Sequence, residues 1–173
     1  MAILKKQSVA WAITAVMIVA AVAIGLMKGE PRSGPSGVPP GGTSSGYIYD
    51  DANVLSAATE NRLADRNNRL YSRYDVLIGV VTCNYGGDDL YDYALRRAEV
   101  MGLGGYDFIV VLDIRGDNYW LVQGADLVRA FTDEDCGYYA WNYMENYCAA
   151  GDYNGAVLSL TEMLEAWYGT YFG

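Results

Sequence analysis

The sequence predicts an α/β protein: a mixed sheet of about four strands sandwiched between helices and preceded by one transmembrane helix. Three observations carry this. Residues 76–82 (VLIGVVT) and 108–112 (FIVVL) are short, unbroken apolar runs of the kind that forms strands buried on both faces. Segments of helical periodicity precede, separate and follow them. Near the N-terminus, residues 9–27 form 19 positions without a charge, with Thr14 as the one clearly polar side chain.

The elements follow in order. Residues 1–8 form a cytoplasmic N-terminus carrying Lys5 and Lys6, and the paired lysines orient the next segment N-in. A helix over residues 9–27 would span about 28 Å, close to a hydrocarbon core of about 30 Å. The segment therefore reads as a signal-anchor. A cleaved signal peptide is the alternative, since Ala21-Val22-Ala23 fits a cleavage pattern, but the run exceeds the usual apolar core of such peptides. Either way the rest of the chain is exported, which gives a cell-membrane, single-pass topology with the C-terminal domain outside. Residues 28–46 hold all four prolines and six of the 20 glycines. They read as a flexible linker with a random-coil reach of about 25 Å.

Residues 47–173 form the extracytoplasmic domain. Residues 47–49 are short and extended. Ser56 is expected to cap a helix over 57–74 with Leu63, Leu70 and Tyr74 on one side. After the first apolar strand, Asp88 is expected to start a helix that runs to Met101 and stops at Gly102. The second strand is followed by a turn at residues 115–118 and a third strand over 119–122. Thr132 with Asp135 has the spacing of a capping box for a helix to Ala149, and Asp152 or Tyr153 opens a last helix to Trp167.

The charge is divided as sharply as the hydropathy. The whole chain carries -9, but residues 47–173 contain eight Arg, no Lys and 20 Asp+Glu, a net -12, while residues 1–46 carry +3. Such an acidic domain does not suit nucleic acid, whose phosphates require clustered Lys and Arg. The chain has no histidine, which excludes Ser-His-Asp and Cys-His catalysis and His-ligated metals. Any chemistry must use carboxylates, Arg, Tyr, hydroxyls, thiols or a hard metal.

An ordered set of short segments resembles one known family. Residues 49–56 (YDDANVLS) are similar to its opening D-x-A-G-v-L-s, Tyr106-Asp107-Phe108 before IVVL to its D-G-v-L-l-l, Phe131-Thr132-Asp133 to its f-T-D, and Gly151-Asp152-Tyr153 to its g-D-Y. This is the TPM domain family, which includes a thylakoid-lumen repair phosphatase, a receptor-modulating protein of animals and anchored bacterial proteins. Asn53 and Phe108 stand where the family usually has glycine. The resemblance implies a sheet between helices, an exported or anchored location and, in some members, calcium binding with acid phosphatase activity.

Asp50, Asp107 and Asp133 match the family's recurring acidic positions. In an α/β fold they are expected to converge on one loop edge, where three carboxylates would suit Ca²⁺ or Mg²⁺. The bland alternative gives Asp50 a turn and Asp133 a helix N-terminus. Two functions follow: a non-catalytic binding or assembly module for membrane or envelope partners, or a metal-dependent phosphomonoesterase.

Other features have simpler expectations. Asp113 ends a strand as in aspartyl-phosphate enzymes, but Arg115 stands where the second carboxylate should be, so Asp113 and Asp117 read as solvated hairpin residues. Arg62, Arg66, Arg69 and Arg73 make a helical stripe expected to pair with carboxylates. Cys136 and Cys148 lie about 18 Å apart on one helix and cannot bond, leaving Cys83 to pair with either or to stay free. Tyr138, Tyr139, Trp141, Tyr143 and Tyr147 are expected to form the buried side of their helix with hydroxyls reaching the surface, the alternative being a binding platform.

Overall fold

A computed structural model describes residues 44–173. The expected anchor at 9–27 and nearly all of the linker lie outside the described residues. Among the described residues no helix is long and apolar enough to cross a membrane.

A 3₁₀ turn at Ser44–Tyr47 leads into the first strand, β1 (Ile48–Asp50), and buries Tyr47. Helix α1 (Ala57–Tyr74) starts where Ser56 accepts the amide of Thr59, and it ends at Asp75 in the left-handed conformation. Strand β2 (Ile78–Cys83) follows. Helix α2 (Leu90–Met101) is capped by Asp89 rather than by Asp88, because it is Asp89 that reaches the amide of Asp92; Gly102, at φ 68°, stops the helix.

Strands β3 (Phe108–Asp113) and β4 (Asn118–Gln123) form a hairpin whose turn places Asp117 at φ 47°. The capping box at Thr132 and Asp135 is formed and starts helix α3 (Asp133–Ala149). Asp152 caps helix α4 (Tyr153–Tyr171), one turn longer than the sequence suggested.

The four strands lie in the order β1-β2-β3-β4, with the first three parallel and β4 antiparallel. Ile78, Val80, Phe108, Val110 and Leu112 alternate with Leu77, Val81, Ile109 and Val111, so each face of the sheet builds its own core. α1, α3 and α4 cover the first face, and α2 covers the second. Both parallel crossovers step across the sheet in the same direction while α1 and α2 lie on opposite faces. The two crossovers therefore have opposite hand, and one departs from the right-handed rule.

Two details tie the layers together. Asn67, on the inner side of α1, donates its amide to the Ile78 carbonyl and accepts the Ile78 amide, each at 2.9 Å, so its side chain pairs with β2 as a strand residue would. Glu165 of α4 receives both Arg66 and Arg69 of α1 at 2.8 Å.

Candidate functional site

Ligands of open α/β sheets gather at the carboxyl ends of parallel strands. In this domain that edge is formed by Asp50, Cys83 and Asp113 with the loops after them. Asp50 accepts the amides of Val54 and Leu55 at 3.0 and 2.9 Å and also the hydroxyl of Thr82, its neighbour on β2. Its carboxylate thus winds the loop into α1. Asn53 sits in that loop at φ 55°, so the position where the family usually has glycine is left-handed, a conformation asparagine tolerates better than most residues.

On the α2 side of the same edge lies a second polar group. Asp113 is 2% exposed, not solvated as the hairpin reading expected. It is buried because the loop after β2 folds over it: Gly86, at φ 58°, donates its amide to Oδ2 at 2.7 Å, and Gly116 leaves room that a Cβ would fill. The other oxygen, Oδ1, is buried without a hydrogen-bond partner. Such an atom is costly and marks a place where a ligand or another polar group is favoured.

Arg97 reaches the same edge from α2, donating to Asp51 at 3.1 Å with its guanidinium 4.6 Å from the centre of the Tyr49 ring. Burial raises the Cys83 thiol above its usual range, opposed by hydrogen bonds that include Tyr93. Burial likewise pushes the Tyr93 phenol up to about 12, with Cys83 adding to the rise and Arg97 opposing it. At neutral pH both groups are therefore protonated.

Asp107 and Asp133 lie elsewhere. Asp107 is buried just ahead of β3, where it accepts the amides of Leu77 at 2.8 Å and Gly104 at 2.6 Å, pinning the starts of β2 and β3. Asp133 accepts from the Gln123 side chain at 2.6 Å, and Gln123 pairs with Phe108. Both belong to the amino edge, at the other end of β3. Five residues of strand separate Asp107 from the level of Asp50, roughly 17 Å, whereas a calcium ion holds its oxygens within about 2.6 Å. The three carboxylates expected to converge do not share an edge, and no single ion can be ligated by all of them.

The residues left at the carboxyl edge are a poor fit to a hard cation. Asp50 leans toward the α1 side with Thr82, Asp113 leans toward the α2 side, and Arg97 already neutralises Asp51. Among the described residues no cluster of three or more acidic or thiol side chains has metal-binding geometry.

The remaining expectations resolve simply. Of the arginine stripe, Arg66 and Arg69 are held by Glu165, and Arg73 lies 5.8 Å from the centre of the Tyr74 ring. All three cysteines are free thiols, and burial raises Cys136 well above its usual value and Cys148 to about 11. Of the aromatic residues of α3, Tyr139 packs against the core, its ring 5.2 Å from that of Phe131, whereas Tyr138, Trp141, Tyr143 and Tyr147 are exposed; the fully buried side is Cys136, Ala140 and Met144, because α3 packs closely on α4. Phe108 is a core residue at the amino edge, edge-on to Phe131 and Tyr168, and does not narrow the carboxyl edge.

Sequence reasoning missed Thr82, Arg97 and Asn67. Arg97 and Asn67 had a readable signal: each falls in the inner stripe of its helix, among Leu90, Ala94 and Met101 and among Leu63 and Leu70 respectively. A polar residue on an apolar face needs a partner on the sheet.

The arrangement defines a small α/β domain, helices on both faces of a mostly parallel sheet, with an acidic, arginine-braced carboxyl edge. The chain belongs to the TPM domain family, whose sequence model matches residues 48–167. Two relatives in Mycobacterium tuberculosis, the UPF0603 proteins MT2410 and Rv2345, are each 26% identical over 145 residues, 83% of this chain. The match spans 21% of each of those longer proteins. The fold is similar to the N-terminal domain of a P. gingivalis protein, with TM-score 0.62, 23% identity, and coverage of 73% of this chain and 86% of that one. It is also similar to the N-terminal domain of a Corynebacterium glutamicum protein, with TM-score 0.57, 19% identity, and coverage of 70% and 79%.

Proposed function

We propose that this chain is a membrane-anchored, extracytoplasmic TPM domain that serves as a non-catalytic binding module, meeting a membrane or envelope partner through its acidic carboxyl edge. One observation carries the reading: the carboxylates expected to form a catalytic metal centre are spent on the fold. Asp50 and Asp107 each accept two backbone amides, and Asp133 holds Gln123 at the opposite edge from Asp50. Carboxylates bonded in this way position loops and are poorly placed to move toward a substrate. The net -12 of residues 47–173 favours a basic partner surface, by long-range steering as much as by contact. The uncharged run at 9–27 supports the anchor.

The test has two arms. The full chain, purified in detergent, is assayed on a generic phosphomonoester with calcium or magnesium, and the expected turnover is no higher than without protein. Crosslinking in native membranes is expected to recover a defined partner with the wild-type chain and to lose it with Asp51→Lys. Metal-dependent turnover, or a crosslinking pattern indifferent to Asp51→Lys, contradicts the reading.

The second reading, phosphomonoester hydrolysis, is favoured by one atom, the unpartnered Oδ1 of buried Asp113 at the edge where α/β enzymes place their chemistry. If it holds, turnover appears with added metal and is abolished by Asp113→Asn. Loss with Asp107→Asn would carry no such weight, since that carboxylate holds two strand starts together.

A further inference from the structure

The amino edge of the sheet carries a surface that the proposed binding edge does not use. Tyr74 at the end of α1, Tyr106 ahead of β3, and Trp167, Tyr171 and Phe172 at the end of α4 meet there. Their rings touch in sequence: Trp167 stacks on Tyr171 at 4.8 Å between centroids, Tyr171 meets Phe172 at 4.8 Å, and Phe172 meets Tyr74 at 5.7 Å and Tyr106 at 6.0 Å. Tyr106, Tyr171 and Phe172 are 44%, 43% and 39% exposed, while Tyr74 and Trp167 are half-buried against the core, so the path runs from the core margin out to the surface. Large aromatic rings grouped and exposed in this way mark an interaction site.

Where the chain enters decides what that site meets. β1 begins at Ile48 at the same end of the sheet as β2 and β3, and the 3₁₀ turn Ser44–Tyr47 comes just before it. The chain therefore enters the body from the amino end of the sheet, the end that also carries the aromatic rings. A flexible linker of the length expected for residues 28–46 would reach about 25 Å, no more than the width of a body whose radius of gyration is about 14 Å, and would keep the entry edge nearest the membrane. Tyrosine and tryptophan are favoured where apolar ring and polar tip can share a lipid–water interface.

We infer that this aromatic edge rests on the lipid interface of the bilayer that anchors the chain, turning the acidic carboxyl edge outward toward its partner. The inference depends on the anchoring reading of residues 9–27, and the two can be tested apart. The full chain is reconstituted in phosphatidylcholine vesicles, and anchoring is read by alkaline carbonate extraction, which leaves a spanning chain in the pellet. Orientation is read by fluorescence with lipids brominated near the headgroup. A variant with Trp11, Trp120 and Trp141 changed to Phe reports Trp167, and one with Trp11, Trp141 and Trp167 changed reports Trp120 on the other face of the sheet.

The expected result is quenching of Trp167 several-fold stronger than of Trp120, reduced by Tyr171→Ser with Phe172→Ser. Equal quenching in a carbonate-resistant chain overturns the orientation and leaves the anchor standing. Release by carbonate overturns the anchor and, with it, this inference. A Trp167 signal that answers to a soluble neutral polysaccharide and not to the brominated lipid overturns it in favour of a glycan platform. The wild-type chain gives a measurement that does not depend on folding of the variants: hydrogen exchange is expected to slow at residues 103–107 and 168–173 in lipid nanodiscs relative to detergent, and to stay unchanged at 114–117. Equal protection at both edges contradicts the proposal.

Discussion

Asp107 and Asp113 flank the same strand, both buried, and their surroundings give them opposite duties. Asp107 is satisfied by two amides, whereas Asp113 is satisfied on one oxygen only. Replacing Asp107 with Ala leaves the Leu77 and Gly104 amides unpaired inside the protein, an expected loss of about 2–4 kcal/mol in denaturant unfolding. Asp113→Asn keeps an acceptor for Gly86 and the size of the side chain, so its expected cost is below about 1 kcal/mol. A larger loss from Asp113→Asn than from Asp107→Ala would contradict these assignments. The sequence marked Asp107 as chemically important but not why, because its partner Leu77 lies 30 residues away and no local pattern encodes that pairing. It also marked Asp113 as solvated, since burial there depends on Gly86 folding back from another loop. The thiols are simpler: titration of the unfolded, unreduced chain is expected to give three free cysteines, and fewer would reveal a disulfide.

At the scale of elements, α1 and α4 are joined by a carboxylate between two guanidiniums. The Arg69 hydrogen bond above all, aided by Arg66, holds Glu165 below the ordinary carboxylate range against the opposing effect of burial. A lowered folded-state value means the stabilisation is complete above the normal glutamate range and fades as pH falls through the lowered value. The melting-temperature gap between wild type and Glu165→Gln is therefore expected at neutral pH and should shrink as the pH falls below the ordinary glutamate range and through the lowered folded-state value. A gap that widens on acidification would refute the clamp. Strand and helix positions were largely legible, since apolar runs and capping residues such as Ser56, Thr132 and Asp152 act locally. The inner side of α3 was not, because the small residues Ala140 and Cys136 are selected by the closeness of α4, which periodicity alone does not reveal.

The whole molecule is organised by the two ends of its sheet. The carboxyl edge gathers Asp50, Asp51, Arg97 and Asp113; the amino edge gathers Asp107, Asp133 and the exposed rings. The sequence named the acidic residues, but which edge each occupies follows from strand order and register, which arise only when distant segments pair. The division of the three aspartates is the feature on which the functional reading turns. Thermal melting of the full chain, first in chelator and then through millimolar calcium, examines it directly, since an ion bound only by the folded state raises the melting temperature with concentration. The expected result is a melting temperature that does not move. A dose-dependent rise that Asp50→Asn and Asp133→Asn each abolish would mean that one ion joins the two edges, and the account would fail.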